Sequence, residues 1–280
     1  HAGETTMARY FGKNRGKAIS VSTFGGMIGV MILPLIVVYL TKIIGWQHVW
    51  LVSSLSILIF FLPLLFLALQ DQNIRHSNFT ESIKDNEENK RWKTREVIVD
   101  KKFYVYLPLS IATSFINTGL TFHQIFIINQ KGWTLDMLAG SFVFLGIFSI
   151  IGLIFGGPII DKYNTKKIIL FALLPLFLGI LTLIFFDSHL SMLVYMSLLG
   201  LNLGIGAPFI GSLWAELYGL GSLGSVKALL HAFMVFASAL SPVIFGYIID
   251  AGFGIVTISV ISLAIIIVST LLPIFYRHIE

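Results

Sequence analysis

No cysteine occurs in the 280 residues, which excludes a disulfide framework and any thiolate metal site. Charge is scarce as well: Asp, Glu, Lys and Arg make up 12% of the chain, against 56% hydrophobic residues. A mean hydropathy of +0.88 is more apolar surface than a soluble domain of this length needs. The sequence carries no pattern of a nucleotide-binding loop, a metal cluster or a hydrolytic triad. No enzymatic role, metal or cofactor is therefore expected, and no energy source through ATP on this chain. The net charge of +5 is not read as a nucleic-acid signal, because its placement has another explanation.

Eight long stretches hold none of the 19 basic and 14 acidic side chains. They are Ile19–Leu40, Trp50–Leu69, Tyr104–Ile128, Leu138–Ile160, Ile168–Phe186, Leu190–Leu213, Ala228–Ile249 and Gly254–Tyr276. About 20 apolar residues are what a helix needs to cross a hydrocarbon core about 30 Å thick. If the gaps between them alternate in side, 17 Lys and Arg fall on one side and only Lys42 and Lys131 on the other. Basic loops stay cytoplasmic. The expectation is an all-α polytopic protein of a plasma or bacterial inner membrane, with the 70–103 loop and the C-terminus cytoplasmic and the lipid bilayer as its surroundings.

The longest gap, 70–103, is polar and highly charged, and reads as disordered or as an amphipathic surface helix. It carries Asn78-Phe79-Thr80, a glycosylation pattern on the side where it would not be used. A repeat links the two ends of the chain: Ala8, Phe11 and Gly12 correspond to Ala215, Tyr218 and Gly219. After one insertion, Gly16 and Pro34 correspond to Gly224 and Pro242, 208 residues on. Parallel six-helix halves would produce such a repeat. On that count Ile19–Leu40 is the fifth helix of a first half. The chain is then expected to lack helices one to three and most of helix four, with residues 1–69 ending the first half, 70–103 as central loop and 104–280 as helices seven to twelve.

The chain resembles the major facilitator superfamily of secondary transporters. Residues Gly156–Lys167, GGPIIDKYNTKK, look like the family's loop signature: Gly157, then Asp161 and Lys162, then Lys166 and Lys167. The stretches RGKAISVSTFGGMIGVMILP and ELYGLGSLGSVKALLHAFMVFASALSP look like the helix 4–5 and 10–11 corners of monocarboxylate-porter-like members. A departure is that Gly29 is followed by Val30, without the paired glycines typical of drug-exporting antiporters. The resemblance implies a 6+6 fold of which eight transmembrane helices are present. It also implies that Asp161 and its basic neighbours latch the cytoplasmic side; the alternative is a solvated basic loop.

Among candidate site residues, Ser110, Thr113, Ser114, Asn117, Thr121 and Gln124 lie on one stripe of a helix. Polar side chains are costly in lipid and face a cavity or another helix. The resemblance puts this helix against a central cavity, so Asn117, Thr121 and Gln124 are read as solute-binding, with interhelical hydrogen bonding as the alternative. His123 lies off the stripe. It and His231 are the ionisable side chains, tyrosines apart, within the eight stretches, and an imidazole exchanges a proton near neutral pH. Lys227 and His231 are four apart and share a face, either holding an anion or anchoring the helix at the headgroups. Tyr195 and Asn202, seven apart, are further candidates. Glu216 is expected to pair with a loop cation, Trp214, Phe11, Arg9 and Arg15 to act as interfacial anchors, and Trp46 and Trp133 to sit in the far aromatic belt. Gly200, Gly204 and Gly211 are read as packing positions.

The function these readings imply is transport of a small solute by alternating access, with an organic anion such as a monocarboxylate moving together with a proton. The alternatives are export of amphipathic compounds on the same fold, and a membrane sensor or scaffold that transports nothing.

Overall fold

The computed structural model describes residues 15–69, 92–163, 165, 168–219 and 222–279, without the side chains of 15–23, 68–69, 161, 170 and 277–279. Every described element is helical. A hydrocarbon interior offers no hydrogen-bond partner, and a helix satisfies its own backbone. The chain forms two compact units, His1–Glu88 and Asn89–Glu280.

In the first unit, α1 (Arg15–Ser56) is followed by one π-helical turn, Ile57–Phe61, and by α2 (Leu62–Leu69). The apolar stretch Phe24–Leu67 has 44 residues, about 66 Å if straight, twice the thickness of the core. It is interrupted at Gly45, whose backbone (φ 75, ψ 157) is not helical. That φ suits glycine and few other residues. The break falls inside the gap expected between Leu40 and Trp50.

The second unit begins with a short helix, α3 (Thr94–Val99), and continues with α4 (Lys101–Phe122), α5 (Gln124–Lys131), α6 (Leu135–Tyr163), α7 (Ile169–Ala172), α8 (Leu174–Phe185), α9 (His189–Tyr218), α10 (Leu223–Asp250) and α11 (Ile255–Ile279). Counting the first unit's stretch, five described helices are long and apolar enough to cross a membrane, and the bent pair α4–α5 makes a sixth. Two expected spans are not single helices. Tyr104–Ile128 bends by 64° at His123, although neither Pro nor Gly stands there; a contact with α10, described below, accounts for it. Ile168–Phe186 breaks at Leu173, leaving α8 with 12 residues. Pro175 explains the break: it has no N–H to return to the preceding turn.

Packing in this unit has an internal logic. The helix α4 lies against α10 and α11, whereas α9 lies against α6 and α8, and α8 also meets α11. The six long elements thus form two triplets, α4–α6–α8 and α9–α10–α11, in which the first helix of each packs on the second and third of the other. Such an exchange is what two related three-helix repeats of opposite orientation would give.

The most extensive of these contacts, α6 with α9, is made backbone to backbone. A Cβ on Gly200 would collide with the Leu145 carbonyl, and one on Gly204 with the Ser149 carbonyl; on Gly152 it would lie 2.7 Å from the Leu201 carbonyl oxygen. The equal steps 145–149 and 200–204 show the two helices running parallel. Apolar side chains gain little by leaving lipid for protein, so close approach of this kind carries helix association in membranes. Gly211, expected to pack likewise, has only Lys227 Nζ near, 3.8 Å from an added Cβ.

Each end of the unit is tied by polar contacts. At one end, Phe103, Trp214 and Tyr218 form an aromatic cluster. Trp214 is fully buried, and its Nε1 donates to Ser110 Oγ at 3.2 Å. The expected interfacial anchor is therefore a core residue, whose single polar atom found a partner on α4. At the other end Lys131 Nζ, nearly buried, meets Asp187 Oδ1 at 2.5 Å and donates to the Phe186 carbonyl at 3.2 Å. Trp133 donates to the Asp187 carbonyl at 2.9 Å and is buried, not part of a belt; Trp46 is exposed. Gln130 Oε1 accepts from Ile255 N at 2.7 Å, capping α11.

The α6–α9 contact makes a paired test. Gly204→Ala should lower the unfolding temperature in detergent, at a cost of about 1–3 kcal/mol for overpacking. Gly206→Ala, where an added Cβ meets nothing within 4 Å, should be neutral or stabilising by up to about 1 kcal/mol. Equal behaviour of the two would mean that the backbone approach does not limit stability.

Candidate solute site

The polar stripe of α4 divides once its neighbours are known. Ser110 is buried and spent on Trp214, an interhelical bond. Thr113 faces a small cleft shared with Leu109, Ala172, Leu173, Asn202, Gly206, Phe209 and Ile210. Thr121 is exposed. Asn117 and Gln124 differ from all of these: both amide atoms of Asn117, and Nε2 of Gln124, are shielded and have no hydrogen-bond partner among the described residues. An amide without partners in a low-dielectric interior costs about 1–3 kcal/mol. Asn117 lies on α4 and Gln124 opens α5 beyond the 64° bend, so the two unpartnered amides flank the break at His123.

His123 stands where α4 ends and α5 begins, with φ −96 and ψ 22. Its Nε2 lies 3.0 Å from the Pro242 carbonyl oxygen on α10, so that nitrogen carries the proton and donates. A Cβ on Gly246 would sit 3.6 Å from the imidazole. The bulk-free Gly246 leaves space for the ring, and the ring's bond to α10 holds the bend. Nearby, a Cβ on Gly119 would lie 2.6 Å from the Phe245 ring, and Ser241 Oγ donates to the Phe115 carbonyl at 2.5 Å. The helices α4 and α10 are therefore closely joined just before the break.

Asn202 and Tyr195 share a face of α9, as expected, and that face turns toward α7 and α8. Asn202 is buried, donates to the Ala172 carbonyl at 3.3 Å, and keeps Oδ1 without a partner. It thus engages the last carbonyl before the break at Leu173. Tyr195 is buried, with its hydroxyl unpartnered among the described residues, and its ring touches the Gly179 position. Asn202 and Thr113 line the same cleft, which links α9 to α4; Tyr195 lies two turns away, beside Gly179.

The other candidates lie toward the helix ends. Lys227 is exposed, with its ammonium over Gly211 of α9. His231, one turn on, is half-buried and partnered. In the loop signature, Gly157 has open space around it, and Lys162 is exposed, its Nζ 5.0 Å from the centre of the Tyr163 ring. Lys166, Lys167 and the side chain of Asp161 lie outside the described residues, as do Arg9, Phe11 and the side chain of Arg15. Glu216 does not bind a described loop cation; its Oε1 accepts from the Thr165 backbone N–H at 3.1 Å. The α9 terminus is thereby pinned to the signature loop through main chain, which composition does not reveal. No group of three or more metal-ligating side chains occurs among the described residues.

The chain belongs to the Major Facilitator Superfamily, whose family model matches residues 1–187 and 137–280. Membership makes it a multi-pass secondary transporter, which moves a small solute across a lipid bilayer; the family is generally non-enzymatic. No curated protein matches the chain.

Asn117 generates a test that separates function from stability. Asn117→Leu removes an amide that has no described partner, so it should raise stability in detergent by about 1 kcal/mol. It should also reduce solute transport at least tenfold in the full-length protein. A stability loss would show that the amide is engaged structurally.

Proposed function

We propose that this protein couples a small organic anion, monocarboxylate-like, to a proton and carries both across the cytoplasmic membrane by alternating access. The observation that carries the reading is His123, an ionisable ring at the break of a membrane helix that also presents Asn117 and Gln124. A carboxylate needs hydrogen-bond donors, which two amides supply. A coupled proton needs a group that can take one up and give it back, and an imidazole is such a group. Breaks in transporter helices free backbone groups at the site and provide a joint for the movement. In this reading residues 1–69 belong to one half, 70–103 cross the cytoplasmic side, and 104–280 form the other half. The signature residues Gly157, Asp161, Lys162, Lys166 and Lys167 act as the cytoplasmic latch. Lys227 and His231 attract the anion at the mouth, and Asn202 and Tyr195 support the site from behind.

The test is uptake of labelled short-chain carboxylates by proteoliposomes containing the full-length protein, with and without an inward proton gradient. Stimulation by the gradient is expected. His123→Gln keeps a donor for the Pro242 carbonyl but cannot titrate, so it should fold and lose the stimulation. His123→Ala should lose the bond as well and destabilise the bend. No carboxylate uptake by correctly inserted protein would remove the anion assignment, and would leave export of amphipathic compounds to be tested next.

A further inference from the structure

We propose that α3 and the residues beside it form a docking surface for anionic phospholipid headgroups. The helix is anchored on one side only. Val97 is fully buried against α10, and the flanks are fixed: Trp92 N donates to Ser222 Oγ at 2.5 Å, and Trp92 packs edge-on against Tyr218. Tyr218 in turn donates to Asp100 Oδ2 at 2.9 Å. On the opposite face no described residue covers the helix. Arg95, Ile98 and Val99 fall at i, i+3 and i+4, on one side of the helix, and all three are exposed, Val99 to 76%. Lys93 and Lys101 at the two ends are exposed too.

The segment's acids are already engaged. Glu96 accepts from Lys93 N at 2.9 Å, and Asp100 accepts from Lys102 N at 3.0 Å as well as from Tyr218. No described carboxylate pairs with Lys93, Arg95 or Lys101. What faces outward is three cations and the exposed Glu96, a net positive set beside two bare aliphatic side chains, one residue from the start of a membrane helix. A basic rim around an apolar tip suits the boundary between phosphates and acyl chains. A soluble acidic partner would leave Ile98 and Val99 unused.

The position gives the contact leverage. Through Ser222 and Tyr218, α3 is bonded to the corner joining α9 to α10, and α10 carries the Pro242 carbonyl held by His123. A headgroup on α3 therefore bears on the element that fixes the bend. In the orientation proposed above these headgroups belong to the cytoplasmic leaflet; the binding itself does not depend on that orientation.

The experiment titrates full-length protein in mild detergent with dioleoylphosphatidylglycerol or dioleoylphosphatidylcholine, and reads retained lipid by native mass spectrometry. Each cation near such a surface contributes about fivefold. The Lys93→Gln, Arg95→Gln, Lys101→Gln variant should therefore bind phosphatidylglycerol about 100-fold more weakly, with its unfolding temperature in detergent unchanged. Lys93→Arg with Lys101→Arg should bind as the parent does, and Val99→Glu should weaken binding although it removes no cation. Equal retention of the two lipids, or an unaffected triple variant, would overturn the proposal. So would complete displacement by millimolar inorganic phosphate, which would identify a site for the free ion. If the unfolding temperature falls in the triple variant, Val99→Glu and the arginine pair decide.

Discussion

Hydrocarbon cannot hydrogen-bond to a peptide group, and the rest of this structure follows from that constraint. It makes every described element a helix, and it makes each interruption expensive unless protein surrounds it. In the second unit the interruptions are answered from neighbouring helices. The bend at His123 is held by its bond to Pro242, and the break at Leu173 is met by Asn202, which donates to Ala172. These responses put polar, partly unsatisfied side chains deep in an apolar bundle. Stability at the breaks and the chemistry of the candidate site are therefore set by the same few residues.

The same constraint explains how the bundle coheres without a large hydrophobic gain. Leu145 and Ser149 of α6 turn carbonyls toward Gly200 and Gly204 of α9, and Leu201 of α9 turns one toward Gly152 of α6, so the two helices touch along their backbones. The ends are closed differently: aromatic stacking and Asp100 at one, and the Lys131–Asp187 pair at the other. Lys131 spends its charge on a carboxylate and a carbonyl at once, which is what a nearly buried ammonium requires.

Much of this was legible in the sequence, because the spans follow from a one-dimensional quantity, apolar length. The packing glycines Gly200 and Gly204 and the buried amides Asn117 and Asn202 were legible for a similar reason, since lipid allows few other uses for them. What escaped depends on partners distant in the chain. Trp214 reads as an anchor until Ser110, 104 residues away, is seen to take its N–H. Trp133 reads as belt until Asp187 accepts from it. The bend at His123 leaves no mark in its own segment because its cause lies on α10, and the exchange of helices between triplets has no local signature at all.

That exchange also sets an order of events during synthesis. The helix α4 leaves the ribosome well before α10 and α11, the two elements it packs against, while α6 and α8 wait for α9. No early triplet can complete itself from its own members. From the end of α4 at Phe122 until α10, which begins at Leu223, has been made, α4 must stay in the bilayer with the Asn117 amide facing lipid or the insertion machinery, so a chain stalled before α10 presents a polar, unassembled helix to membrane quality control.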